Sequence, residues 1–154
     1  MNFTDWTSNR TGRLGYCYDG FASAKSCFFK QWIAFASERG IAMPNDLSGS
    51  CRYGSLFMQS VFGGSIRGHY QHQYNLIDGR LVDLSHDAKD VGGMANPYFH
   101  EPRYFEIPEL QSSLAACTPR AERWANEFIA MYQTAVRAGG IEAGRPNEKP
   151  IKPT

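Results

Sequence analysis

The dipeptide Asp78-Gly79 limits how this chain can fold, because it stands between two runs that read as strands. In the first run, Tyr70, His72, Tyr74 and Leu76 alternate with polar residues, and the second is Leu81-Val82-Asp83-Leu84. Asp-Gly favours a type I′ turn, which needs positive φ at both central residues and joins antiparallel strands. We therefore predict a β-hairpin with strands over residues 66–77 and 80–85.

Three segments have the apolar spacing of helices. Residues 20–39 and 51–62 precede the hairpin, and the second of these follows Ser50 as N-cap and ends at Gly63-Gly64. Residues 120–137 form the last helix, opened by Thr118-Pro119. The predicted fold class is α+β, with N-terminal helices of which the one over residues 51–62 packs on a small antiparallel sheet, and with a C-terminal helix.

Residues 1–19 read as an irregular arm that its aromatic side chains, Trp6, Tyr16 and Tyr18, hold against the body. With 154 residues the chain can bury one proper core, so residues 1–138 are expected to form a single domain and 139–154 a flexible tail. The net charge of +1 comes without a block of like charge, which indicates neither nucleic acid nor a membrane as partner. No signal sequence is recognisable, so we expect a cytoplasmic protein, with export by a signal-independent route left open.

Cys51 stands out among the four cysteines, Cys17, Cys27, Cys51 and Cys117. Their spacing is not that of zinc ligands, and no metal or organic cofactor is implied. A nucleophilic cysteine needs its thiolate near neutral pH, and a helix N-terminus favours the thiolate. Cys51 is the one predicted to start a helix, with Cys117 as its rival before Thr118-Pro119.

The hairpin supplies a base and an orienting carboxylate. With a two-residue loop, Ile77 pairs with Arg80, so that His72 and Asp83 become diagonal neighbours on one face. We expect Nδ1 of the imidazole to meet the carboxylate and Nε2 to remain free for the thiol proton. The same count places His69 and His86 on the opposite face. With a three-residue loop, His72 and Asp83 would no longer share a face.

Attack of a cysteine on a carbonyl group produces an oxyanion. The backbone N–H of Cys51 and one side chain would stabilise it, and the weak candidates for that side chain are Asn45, Tyr53 and Tyr74. Asn75 is a further weak oxyanion or substrate-binding candidate, but it falls on the other face of the strand, where a hydrogen bond within the strand or turn is the more expected role. The stretch from His86 to Pro108 is too long for a plain connector and is expected to cover the site.

At these residues the sequence resembles the small bacterial YunG-like proteins and, beyond them, the papain/transglutaminase-like superfamily. The matching segments are Cys51, Phe62-Gly63-Gly64, His72-Gln73-Tyr74-Asn75 and the run from Asp78 to Asp87. The departure is Gly49-Ser50 before the cysteine, where the family usually has a glutamine. The resemblance implies a papain/transglutaminase-like fold and a Cys-His-Asp triad.

Two functions follow from these features. The first is a thiol enzyme that performs hydrolysis, deamidation or acyl transfer on a protein or peptide, such as a bacterial effector or toxin. The second is a non-catalytic interaction domain that keeps the fold. Its binding surface would combine the aromatic residues of the arm with Tyr98, Phe99, His100 and Tyr104.

Overall fold

The fold is built on a four-stranded antiparallel sheet in the order β1-β2-β3-β4. The strands are β1, Arg10–Thr11; β2, Gly63–His69; β3, His72–Ile77; and β4, Arg80–Val82. The helices are α1, Tyr18–Glu38; α2, Cys51–Phe62; α3, Lys89–Gly92; and α4, Pro108–Arg137, with a 3₁₀ turn at Pro102–Glu106. This is a computed structural model, and it describes residues 5–139. The predicted tail lies outside the described residues except for Gly139.

The predicted turn at Asp78-Gly79 is confirmed. Asp78 has a φ of 51° and Gly79 a φ of 75°, and Ile77 pairs with Arg80. β4 ends at Val82 instead of residue 85, because the Asp83 carboxylate turns the chain by accepting the backbone N–H of Ser85 at 3.1 Å.

The long strand predicted over residues 66–77 is wrong, because it is two strands. His69 pairs with His72, so the chain reverses through Tyr70 and Gln71. Neither of these residues has positive φ. A turn of this kind demands no special residue type, which is why the sequence carries no signal for it.

α2 has the predicted bounds, and α1 begins two residues before the predicted start. The last helix is longer than predicted, because it begins at Pro108 and continues through Pro119. A proline inside a helix removes the bond to the carbonyl four residues earlier, here Ala115. Ala115 and Pro119 are both exposed, so water can satisfy that carbonyl.

The core lies around α2, which packs against α4 on one side and the sheet on the other. Phe28, Phe57 and Phe128 are fully buried where α1, α2 and α4 meet. The arm is held as predicted by Trp6 and Tyr16, whereas Tyr18 is 68% exposed at the start of α1. None of the helices in the described part of the chain has the length and apolar character needed to cross a bilayer.

Candidate active site

Cys51 is the first residue of α2, as predicted, and its side chain is half-buried. The first intrahelical bond runs from the Gly54 N–H to the Ser50 carbonyl at 2.8 Å. The N–H groups of Cys51, Arg52 and Tyr53 therefore lack intrahelical acceptors. Donors of this kind favour negative charge, so they suit a thiolate or an oxyanion next to Cys51.

Ser50 does not cap α2 as predicted. Its hydroxyl instead donates to the carbonyl of Leu47 at 2.6 Å, and its own backbone is already helical, with φ −94° and ψ 0°. The side chain thus closes the preceding turn, and it leaves the first-turn N–H groups available to another acceptor.

Hydrogen bonds join the loop before α2 to the start of α3. The carboxylate of Asp46 accepts the Lys89 N–H at 2.7 Å, and that of Asp90 accepts the Gly49 N–H at 2.9 Å. The Asp90 N–H donates in turn to the Ser48 hydroxyl at 3.1 Å. The loop before α2 is therefore hydrogen-bonded to the segment that follows β4, and Asp83 lies at the start of that segment.

His72 and Asp83 are in contact, as the hairpin register predicts. The imidazole Nε2 lies 2.8 Å from Oδ2 of Asp83, and the side chains are 1% and 3% exposed. We expected Nδ1 on the carboxylate and Nε2 free for the thiol. The structure has the two nitrogens the other way round, with Nε2 on the carboxylate and Nδ1 left for the thiol. Strand geometry places two side chains on one face, but it does not fix which edge of an imidazole meets the carboxylate.

The Asp83 carboxylate is held on both oxygens. Oδ2 also accepts the Tyr98 hydroxyl at 2.9 Å, while Oδ1 accepts the backbone N–H and the hydroxyl of Ser85 at 3.1 and 3.2 Å. These bonds fix the carboxylate in place and satisfy a buried negative charge. Sequence reasoning missed Tyr98 and Ser85 as parts of this site. Asp83-x-Ser85 could have indicated the local turn, but no spacing rule links Asp83 to a tyrosine in a distant loop.

The pKa of His72 is raised to about 9. Burial acts most strongly and lowers the pKa, but it is outweighed by hydrogen bonds and negative charge from Asp83 and Cys51, which favour the imidazolium. The Cys51 side chain thus lies next to the same ring that contacts Asp83. At neutral pH this arrangement favours the imidazolium form of His72.

The segment from Tyr98 to Glu101 lies over this face of the sheet. The Tyr74 hydroxyl donates to the Tyr98 carbonyl at 2.7 Å, and the Glu101 N–H donates to the carbonyl of Gly68 at 2.9 Å. The loop expected to cover the site therefore does contact it. Tyr98, His100 and Tyr104 are half-buried, whereas Phe99 is 56% exposed.

His69 does not lie on the face opposite His72, as was predicted. The two histidines are direct cross-strand partners, and such partners share a face of the sheet. The undetected turn at Tyr70 and Gln71 caused the error, because it shifts the alternation of β2 relative to β3. His86 is exposed, and its imidazole is not part of the group formed by Cys51, His72 and Asp83.

The weak oxyanion candidates are not gathered around Cys51. Asn45 is exposed beside a cavity of about 230 Å³ that Lys25 and Asp87 also line, and the Tyr53 ring packs against Trp124 at 5.6 Å. The ring of Tyr74 stacks on His72 at 6.2 Å, with its hydroxyl on the Tyr98 carbonyl. The amide of Asn75 donates to the Ser55 carbonyl of α2 at 2.9 Å, so its hydrogen bond runs to the helix and not within the strand or turn as predicted.

A helix N-terminus does not by itself distinguish Cys51, because Cys17 is the N-cap of α1. The Cys17 sulfur accepts the Gly20 N–H at 3.3 Å. The expectation that Cys51 alone has such a position is therefore wrong. Cys51 differs from Cys17 because it lies next to His72. Its hydrogen bond and its charge both contribute to raising the pKa of that imidazole.

The remaining cysteines have other surroundings. Burial raises the pKa of the Cys27 thiol in α1, and Cys117 lies inside α4, where it interacts with the hydroxyl of Tyr53. All four cysteines are free thiols. Over residues 5–139, no group of three or more His, Cys, Asp or Glu side chains is arranged to hold a metal ion.

The geometry can support nucleophilic chemistry at sulfur, with an imidazole to carry protons and a carboxylate to hold the imidazole. The resemblance to YunG-like and transglutaminase-like proteins stays a prediction that rests on the sequence segments given above. Comparison with models of protein families, with curated protein sequences and with solved structures finds no match for this chain.

Proposed function

We propose that this protein is a cysteine enzyme that transfers acyl groups from an amide or ester through a thioester on Cys51. The observation that carries the proposal is the arrangement of three side chains, in which His72 contacts the Asp83 carboxylate at 2.8 Å and also interacts with Cys51. A papain/transglutaminase-like fold would place the same three residue types in the same chain order.

In the first half of the reaction, the Cys51 thiolate attacks the carbonyl carbon, and the carbonyl oxygen takes the negative charge. The N–H groups at the start of α2 stabilise that oxyanion. The C–N or C–O bond then breaks as the His72 imidazolium gives its proton to the leaving group. The products of this half are a thioester on Cys51 and a neutral imidazole.

In the second half, water or an amine attacks the thioester while His72 takes a proton from it. The C–S bond breaks, and the thiolate-imidazolium pair is restored. Water as acceptor gives hydrolysis or deamidation, and an amine gives transamidation. Asp83 keeps its charge throughout and stabilises each imidazolium form of His72.

The substrate class that we propose is the amide of a protein or peptide, as in bacterial effectors and toxins that act as deamidases or peptidases. Cys51 is half-buried, whereas His72 and Asp83 are almost fully buried. A substrate therefore approaches from the cysteine side, and the imidazole is shielded from bulk water.

Trapping of the thioester tests the proposal. The protein is mixed with a p-nitrophenyl ester and quenched in acid, and its peptides are weighed by mass spectrometry. We expect the acyl mass on the peptide that contains Cys51, and its loss with hydroxylamine. Cys51→Ser and His72→Ala should not accumulate it, whereas Cys17→Ser should behave as wild type. Acylation of Cys17 or Cys117 in place of Cys51 would overturn the assignment.

The alternative of a non-catalytic interaction domain is less well supported. Of the aromatic residues proposed for its surface, Trp6 is buried and Tyr98, His100 and Tyr104 are half-buried in contacts within the chain. Phe99 and Tyr18 remain well exposed, and they belong to different parts of the fold. The same trapping experiment separates the two functions, because a binding domain would form no thioester at any cysteine.

A further inference from the structure

A second histidine lies beside His72 on the same face of the sheet. His69 is 6% exposed and is the direct cross-strand partner of His72. The reaction described above gives it no role. A buried imidazole therefore lies next to the proposed base without taking part in any step of the reaction.

One nitrogen of His69 has no partner. Nδ1 accepts the backbone N–H of Gln71 at 3.4 Å, so Nε2 is the ring nitrogen that carries a proton. Nε2 is buried, and no described residue accepts a hydrogen bond from it. Buried donors in folded proteins are nearly always paired, so this one points to an acceptor that comes from outside the chain.

Two aromatic rings flank this histidine and face solvent. The ring of Tyr70 lies 5.8 Å from that of His69, and the ring of Phe99 lies 5.9 Å from it. Tyr70 is 76% exposed and Phe99 56%. An apolar surface with one convergent polar group is typical of a ligand site. Phe99 also directly follows Tyr98, which bonds Asp83, so this surface borders the proposed active site.

We propose that His69, Tyr70 and Phe99 recognise the acyl donor by taking a large apolar or aromatic side chain between the two rings. The Nε2–H of His69 donates to a backbone carbonyl of the same peptide. Nε2 is covered in this structure, so the side chains around it must move for the carbonyl to reach it. This inference rests on the proposed function, because it names the substrate class of that site.

A positive charge near His69 affects which donor side chains this surface should accept. Arg67 lies on the same face as His69, two residues away along β2, and its positive charge contributes to lowering the pKa of His100 after the larger effect of burial. A second cation close to Arg67 would be repelled. A donor with lysine should therefore be disfavoured, whereas phenylalanine and leucine should be favoured.

The test uses peptidyl acyloxymethyl ketones that carry Phe, Leu, Ala or Lys next to the electrophilic carbon. Their rates of reaction with Cys51 in the full chain are followed by intact mass. We expect the Phe and Leu reagents to react roughly 10 to 100 times faster than the Ala reagent, and the Lys reagent to be slowest. Iodoacetamide, which needs no recognition, is measured in parallel on the same protein.

Three variants and one control separate the parts of the site. Phe99→Ser should reduce the Phe-to-Ala rate ratio to below about 3, whereas Tyr18→Ser, a matched exposed aromatic far along the chain, should leave it unchanged. His69→Phe should slow all four reagents about equally by removing the donor, and His69→Gln should restore part of the rate. Phe99 is largely exposed, so its variant is expected to fold even if those at His69 do not.

The outcomes for the two proposals differ. Equal rates with all four reagents, in a protein whose Cys51 reacts rapidly with iodoacetamide, would overturn the recognition site and leave the enzyme proposal standing. Unchanged rates in His69→Phe would overturn the hydrogen bond to the peptide, as expected if a buried water serves Nε2. A Cys51 that reacts with iodoacetamide no faster than Cys17 would overturn both proposals.

Discussion

Asp83 holds the imidazole of His72 through one oxygen while the other is fixed by Ser85. Asp83→Asn keeps the shape of this side chain but removes the charge that stabilises the imidazolium. Loss of the equivalent carboxylate in a serine triad costs on the order of 10⁴ in turnover. We expect a smaller loss here, roughly 10 to 10³, because a thiolate needs less help than a hydroxyl.

Two measurements test Asp83→Asn. They are the turnover of the p-nitrophenyl ester and the pH profile of Cys51 alkylation. The alkylation profile should move to higher pH together with the loss of turnover. Asp87→Asn is the matched control, since Asp87 is exposed and pairs with Lys25 at 2.6 Å. If Asp83→Asn changed neither measurement, the carboxylate would have no part in the reaction.

Tyr98 supports the same carboxylate from the covering loop. Tyr98→Phe keeps the ring that packs on Tyr74 at 5.3 Å but removes the hydroxyl that donates to Asp83 at 2.9 Å. A hydrogen bond to a charged group is worth about 1.5–3 kcal/mol, and Ser85 still holds the other oxygen, so we expect a loss in turnover of roughly 3- to 10-fold. Tyr18→Phe should have no effect, and turnover equal to wild type in Tyr98→Phe would contradict the role.

Individual residues show how far sequence could predict the site. The contact between His72 and Asp83 followed from the Asp78-Gly79 turn, because a two-residue loop fixes which side chains share a face. The position of His69 did not follow, because it depends on a turn at Tyr70 with no sequence signature. The bond from Tyr98 depends on the path of a whole loop, which local rules do not determine.

At the scale of elements, the junction between α2 and β2 sets the cysteine helix against the sheet. Gly64 and Gly79 both have a φ of 75°, but they differ in the space around them. A Cβ on Gly64 would lie 2.2 Å from the carbonyl oxygen of Leu76, whereas a Cβ on Gly79 would meet nothing within 4 Å. This pair therefore separates the effect of backbone conformation from that of steric overlap.

We expect Gly79→Ala to lower the free energy of unfolding by about 1–2 kcal/mol, the cost of left-handed backbone for a residue with a Cβ. Gly64→Ala should lower it by at least about 2 kcal/mol more, because the strands must also separate. Urea denaturation of both variants measures the difference. Equal destabilisation would mean that β2 and β3 do not approach each other so closely at Gly64.

Element boundaries were predicted best where the sequence fixes them by backbone conformation. Gly63, with a φ of 79°, ends α2 where the Gly-Gly pair indicated. α4 is longer than the predicted helix over residues 120–137, because Thr118-Pro119 is typical of a helix start but lies inside this helix. Packing of α4 along α2 carries that helix through the proline, and such tertiary support is not visible in local sequence.

At the scale of the whole molecule, the site exists only because α2, the hairpin and the covering loop meet. The pKa of His72 is raised from 6.5 to about 9, so the folded state binds its proton more tightly than the unfolded state. The stabilisation is fully present below pH 6.5 and is lost as the pH rises through about 9.

As the pH rises over this range, the free energy of unfolding of wild type should therefore fall relative to that of His72→Gln. Urea denaturation at several pH values from 6 to 9.5 measures the difference, in which other titrating groups largely cancel. His86→Gln, a variant at an exposed histidine, should show no such trend. A difference for His72→Gln that does not depend on pH would mean that the imidazole gains no proton affinity on folding.

The rate of alkylation by iodoacetamide at each cysteine shows whether His72 activates Cys51. Cys17 is the matched internal control, because it is also half-buried and also stands at a helix N-terminus. At pH 6, where His72 is charged, we expect Cys51 to react roughly 10 to 100 times faster than Cys17. In His72→Ala this advantage should disappear, while in His86→Ala it should persist. If Cys17 reacted as fast as Cys51, or if the rate at Cys51 did not change in His72→Ala, then His72 would not be what activates Cys51.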